Sequence, residues 1–260
     1  MIYGNYKQQS FLKEALENKE SAILIVGPEG VGKFSFAFEY LNGKDWEKII
    51  LDSSSKNFKI DSARLVVSLA YKKSQRRIIL INDFHKFQPQ SQNVLLKTLE
   101  ESKTPTTFIF ITHKENKILP TIRSRSLKIK FNLVESKETA SFLKNKNFKE
   151  DEINFALDFY PHQPGKAFNF LSNKEKLNIF KKIITGKEDV FEEVKNVFTL
   201  NEFLEYYLLF LRKKALASLK NKIELKEYIL KLRQATWLFY DSDYNLNLEL
   251  QIANLILNNG

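Results

Sequence analysis

A chain of 260 residues, 43% hydrophobic and 28% charged, is long enough for a substantial core plus one or two smaller units, and its balance excludes the disordered and fibrous classes. It contains no cysteine, which excludes a disulfide framework and any cysteine-ligated zinc site. The formal charge of +10 fits either a phosphate-rich partner or a background heavy in Lys, Asn and Phe; arginine is scarce beside lysine, so the close pair Arg123 and Arg125 is more informative than any lysine run.

The opening residues, Met1-Ile2-Tyr3-Gly4-Asn5-Tyr6-Lys7, lack the basic, apolar, then small-residue order of a secretory leader. No apolar run approaches the roughly 20 residues a membrane helix needs, so a cytoplasmic protein without a membrane partner is expected. Short β-branched runs then alternate with longer helical stretches: a strand over 22–26 and a helix over 33–41, a strand over 49–51 and a helix over 60–71, a strand over 78–81 and a helix over 90–101, then a strand over 107–112. A further run over 127–131 would close the sheet. This alternation predicts an α/β fold, a parallel sheet with helices on both faces and ligands at the carboxyl ends of its strands.

After residue 133 the apolar spacing becomes helical, over 135–144, 150–160 and 166–171, punctuated by Pro161 and Pro164-Gly165. From 174 onward long amphipathic segments dominate, over 200–219, 223–240 and 246–257, with a break at 241–245. The expected division is therefore an α/β domain over 1–132, a small helical domain over 133–173 and a helical bundle over 174–260.

Gly27-Pro28-Glu29-Gly30-Val31-Gly32-Lys33 follows a strand and opens a helix, the context of a phosphate-binding loop. Gly27, Gly30 and Gly32 let backbone N–H groups curl around phosphate oxygens, and Lys33 would reach the terminal phosphates. The next position should supply a hydroxyl to Mg²⁺, yet it is Phe34. Ser35 comes one residue late, a rotation of roughly 100° around the helix. The second requirement is acid at the end of a neighbouring strand. There Ile78-Ile79-Leu80-Ile81 runs into Asn82-Asp83, where AAA+ proteins carry Asp-Glu. With the metal hydroxyl, the metal acid and the catalytic carboxylate all altered, loss of metal binding and of hydrolysis is expected.

Ser91-Gln92-Asn93-Val94-Leu95-Leu96-Lys97-Thr98-Leu99-Glu100-Glu101 closely resembles the N-x-L-L-K-x-L-E-E helix of bacterial DNA polymerase III clamp-loader subunits. Leu119-Pro120-Thr121-Ile122-Arg123-Ser124-Arg125-Ser126 is similar to that family's L-L-P-T-I-x-S-R-C, with Ser126 in place of Cys. Phe58-Lys59-Ile60-Asp61-Ser62-Ala63-Arg64 resembles its I-K-I-D-x-I-R, and Asn245-Leu246-Asn247-Leu248-Glu249-Leu250-Gln251 resembles a motif of the collar's last helix. Four matches in order cover most of the chain, and the delta-prime branch is the one suspected.

The resemblance implies an AAA+ domain, a helical lid, and a collar that joins other clamp-loader subunits in a hetero-oligomer. The sliding clamp would be reached indirectly, and primer-template DNA through its phosphate backbone. It implies that Arg125 is an arginine finger directed at ATP on a neighbouring subunit; the plain alternative is a surface arginine capping a short helix. Thr112, with His113 at the same strand end, falls at a sensor of the γ-phosphate, and Lys166 at the second sensor in the lid. Either could instead be an ordinary strand or helix terminus. The family's cysteine-ligated zinc module is missing; no cofactor is required, with at most weak ATP or ADP binding through the glycine loop.

Two other readings compete. One is a working AAA+ ATPase, such as a clamp-loader motor subunit or a related replication or repair ATPase, against which Phe34 and Asn82 argue. The other is a simple nucleic-acid binding module, prompted by the charge and by Tyr71, Phe84 and Phe87; no RNP-type strand pattern supports it.

Overall fold

The computed structural model describes residues 3–51, 60–72, 74–101, 105–185 and 191–241. They belong to two compact units, one of residues 1–147 with 161–166, the other of residues 148–160 with 167–260. In chain order the elements are α1 (Tyr6–Glu17), β1 (Ala22–Val26), α2 (Lys33–Asn42), β2 (Glu47–Leu51), α3 (Ile60–Ala70), β3 (Arg77–Ile81), α4 (Pro89–Glu101), β4 (Thr106–Thr112), α5 (Pro120–Ser124), β5 (Leu127–Lys130) and α6 (Ser136–Lys144). These are followed by α7 (Glu150–Leu157), α8 (Pro164–Ser172), α9 (Lys174–Thr185), α10 (Phe191–Val197), α11 (Leu200–Ala217) and α12 (Lys222–Asp241). No helix of the described residues is long and apolar enough to cross a membrane.

The strands form one parallel sheet in the order β2-β3-β4-β1-β5. Alternate residues serve opposite faces. Ile23 and Ile25, Ile78 and Leu80, Ile109 and Ile111 pack with Leu12 and Leu16 of α1 and Phe36 and Leu41 of α2. Leu24 and Val26, Ile79 and Ile81, Phe108 and Phe110 pack with Val66 of α3, Leu95 of α4 and Ile122 of α5. Because both faces are covered, the central strands read as unbroken apolar runs rather than alternating ones. Each such side chain, fully buried, contributes roughly 1.5–3 kcal/mol.

The differences from the expected elements have local causes. β3 starts at Arg77, before its apolar run, and that arginine is buried. Its guanidinium donates to the Lys72 and Ala70 carbonyls at 2.7 and 3.3 Å and pairs with Glu47 of β2 at 2.8 Å, which is what permits a buried charge. α1 buries a narrow stripe of Leu12, Ala15 and Leu16, too sparse to stand out in the sequence. α8 begins at Pro164 itself, since a proline at a helix start loses no hydrogen bond. The stretches 58–59 and 245–257, which carry two of the family-like motifs in part or whole, lie outside the described residues.

The second unit is held by aromatic packing. Phe155, Phe159, Phe170, Phe180 and Tyr206 form a ring cluster with centroid separations of 5.3–5.8 Å. Beside it Ile179, Val194, Phe203, Leu204, Tyr207, Leu211 and Ala235 make the core shared by α9 to α12. Thr199 caps α11 reciprocally with Glu202.

Candidate functional site

β1 ends at Val26 and the glycine loop turns directly into α2, whose N-cap is Gly32. Positive φ at Gly27 (146°), Gly30 (74°) and Gly32 (88°) gives this loop the backbone shape of an anion cradle. Lys33 is the first residue of α2 and is 7% exposed. Its ammonium bends back to donate to the carbonyls of Gly27 and Pro28 at 2.8 and 2.5 Å. Burial pushes its pKa down to about 8, against the opposing pull of Glu29 and Asp83. Phe34 is packed against the α1–α2 core and stacks on Phe38 at 5.6 Å. Ser35 is exposed on the helix.

The depressed amine makes a stability prediction. Unfolded, Lys33 keeps its ordinary pKa near 10.5 and binds its proton more tightly than in the fold. Stability therefore rises with pH between about 8 and 10.5, and the full cost stands below that window. The interval corresponds to about 3 kcal/mol, part of which the two carbonyl contacts offset. Lys33→Met is expected to be about 1–3 kcal/mol more stable than wild type at pH 7, with this pH slope gone; urea midpoints at pH 7 and 9.5 measure both. A less stable variant at pH 7 would show the ammonium to be a net prop of the loop.

The turn that opens α8 closes onto the tip of the same loop. Gly165 N–H donates to Gly30 O at 2.8 Å, and Gln163 Nε2 donates to Glu29 O at 3.0 Å. Lys166 pairs with Glu29 at 3.1 Å. A Cβ on Gly30 would lie 2.8 Å from Lys166 Cγ, so glycine is required for this approach. Burial pushes the Glu29 carboxyl up, but Lys166 beside it prevails and holds it below its ordinary range. Both cations expected to reach phosphate, Lys33 and Lys166, thus face groups of the loop itself.

Asn82 and Asp83 follow β3. Asn82 is half-buried and its N–H donates to Leu51 O at 2.9 Å. Asp83 adopts a left-handed backbone (φ 49°) and caps a short 3-10 turn, Phe84–Lys86; its Oδ2 pairs with Lys86 at 3.0 Å. Thr112 ends β4 fully buried. Its hydroxyl accepts from Lys114 N–H at 2.9 Å and lies 3.2 Å from His85 Nδ1. His85 and His113 meet edge to face at 4.2 Å. Burial holds both imidazoles below their ordinary pKa, His85 at about 4, so both are neutral at pH 7. His85 carried no signal in the sequence, because β4 must form before it meets His113.

Arg125 is the C-cap of α5 and exposed, with Nη1 donating to Thr121 O at 3.2 Å. Its partner in the sequence, Arg123, is half-buried.

A family model described as DNA polymerase III, delta subunit, matches residues 41–135. The chain is 30% identical over 155 residues to a DNA polymerase III subunit delta' of Buchnera aphidicola (Schizaphis graminum), covering 57% of this chain and 47% of that protein. It is 32% identical over 168 residues to the subunit gamma of the same organism, covering 60% and 46%. Over these residues the chain is similar to subunits of DNA polymerase III. It spans about half the length of these curated relatives. A gamma subunit-related protein of Thermotoga maritima shares its fold with a TM-score of 0.67 at 19% identity, covering 96% of this chain and 97% of that one. The parallel sheet with helices on both faces that the sequence implied is thus a fold shared with that protein.

A phosphate loop of this spacing implies a bound nucleotide and Mg²⁺. The glycine cradle fits a phosphate. The metal does not fit: the position that should offer a hydroxyl holds a ring packed against the core, and the strand end offers the amide of Asn82 where an acid belongs.

Proposed function

We propose that this chain is a non-hydrolysing, delta-prime-like subunit of a clamp loader, which helps place a sliding clamp on primed DNA during replication. It holds the geometry of the motor subunits, and Arg125 reaches ATP bound by a neighbour. The observation that carries this reading is the loop: Lys33 is folded onto carbonyls of the loop and Phe34, partly buried against the core, stands where a metal ligand belongs. Arg125 supports the other half, being an exposed arginine at the end of a short helix.

The partners proposed are motor and delta-like subunits, with the clamp contacted indirectly and primer-template DNA through its phosphates. Exposed Leu216, Ile223, Ile229 and Leu230 give α11 and α12, and Leu219 the turn between them, apolar surface suited to collar packing. No cofactor is required, and ATP or ADP would bind weakly through Gly27, Gly30, Gly32 and Lys33. The three-part division at 132 and 173 belongs to this proposal. Likeness to a gamma subunit favours a second reading, an active motor. Both are tested in a complex reconstituted with the partner subunits: the stator reading expects Lys33→Met to leave ATP turnover unchanged and Arg125→Ala to lower it, and the motor reading expects Lys33→Met to abolish this chain's own share.

A further inference from the structure

The chain has only three histidines, and two of them converge with an aspartate at the carboxyl ends of β3 and β4. One ligand atom from each of Asp83, His85 and His113 lies within 4.8 Å of the others. Asp83 Oδ1 faces His113 Nδ1 at 3.8 Å, while its Oδ2 is held by Lys86. Metal–nitrogen and metal–oxygen bonds of about 2.0–2.1 Å put neighbouring donors on one ion roughly 3–3.5 Å apart, so small side-chain rotations close this set. Thr112 Oγ1 holds one ring nitrogen of His85 at 3.2 Å, the way ligating imidazoles are oriented from their second nitrogen.

We propose that Asp83, His85 and His113 form a site for one divalent transition-metal ion of the zinc class, pinning the end of β3 to the end of β4. Two imidazoles and one carboxylate select Zn²⁺, Co²⁺ or Ni²⁺ over Mg²⁺ and Ca²⁺, which prefer all-oxygen shells. Three protein donors leave a fourth position open. The site uses neither of the positions that would ligate Mg²⁺ in a nucleotide enzyme, Phe34 and Asn82, although Asp83 stands where the second acid of that motif falls. It does not depend on the stator reading.

The test uses the full chain, stripped of metal and titrated with Zn²⁺, with the histidine side-chain nitrogens followed by NMR. His162, whose Nδ1 lies 2.9 Å from Val134 O, is the internal reference. The expected result is saturation at one equivalent, with the His85 and His113 resonances moving and those of His162 unmoved. Co²⁺ should give a visible absorption band that Zn²⁺ displaces, and Mg²⁺ should move no imidazole. His85→Asn and His113→Asn should each weaken Zn²⁺ by more than the roughly 10- to 100-fold cost of losing an orienting partner, the loss expected for Thr112→Val. Three unmoved histidines, equal response to Mg²⁺, or wild-type affinity in a folded His113→Asn variant would each overturn the site. The wild-type titration decides on its own where a variant does not fold.

Discussion

Arg125→Ala, in a complex reconstituted with partner subunits, is expected to lower ATP turnover at the one active site it completes by roughly 10³- to 10⁵-fold, the effect of removing an arginine finger. At 1.36 kcal/mol per decade this is about 4–7 kcal/mol of transition-state stabilisation. The bland alternative is also visible in the structure: Arg125 caps α5 and donates to Thr121 O. Magnitude separates the two. Loss of the hydrogen bond to Thr121 O costs at most about 0.5–1.5 kcal/mol of stability and leaves a neighbour's chemistry alone. The finger requires in addition a large loss of turnover, far beyond what so small a change in stability could cause. Arg125→Lys should recover little, since an ammonium cannot reproduce the planar fork of a guanidinium. Because other motor sites keep working, the loss is read from single-turnover kinetics of the affected site rather than from total ATPase.

Gly27→Ala is expected to destabilise the chain by about 3–5 kcal/mol with no nucleotide involved. A Cβ at this position would stand 2.3 Å from Phe131 O, and φ is 146°. Strain of the backbone and overpacking against the end of β5 each cost on the order of 1–3 kcal/mol, a large part of the 5–15 kcal/mol a domain usually has. Gly43→Ala is the control, with its nearest neighbour, Tyr40 O, at 3.6 Å; it should stay within about 0.5 kcal/mol of wild type. The comparison explains why a loop that lacks its metal ligands keeps its first glycine: that residue is part of the sheet's packing. Equal urea midpoints for the two variants would contradict this.

The sheet was legible because burial on both faces leaves a signature in single residues, and Ile78 to Ile81 or Phe108 to Ile111 fit little else. The phosphate loop was legible because glycine spacing and a flanking strand and helix are local. What stayed hidden depends on partners distant in sequence. Arg77 reads as the polar edge of a strand until Glu47 and the carbonyls after α3 are placed around it. The closure of Gly165 and Lys166 onto Gly30 and Glu29 joins segments whose sequences do not mention each other. The Asp83, His85 and His113 group needs two strand ends to be set side by side. Arg125 was legible as a candidate only through family resemblance, since an exposed arginine after a short helix has no physical signature of its own in one chain.

The central claim is that this chain carries the phosphate loop without the reaction, and Mg²⁺-dependent ATP turnover by the purified chain tests it most directly. The expected result is no turnover above the protein-free rate and none lost in Lys33→Met. Steady hydrolysis that requires Mg²⁺ and disappears in Lys33→Met would contradict it.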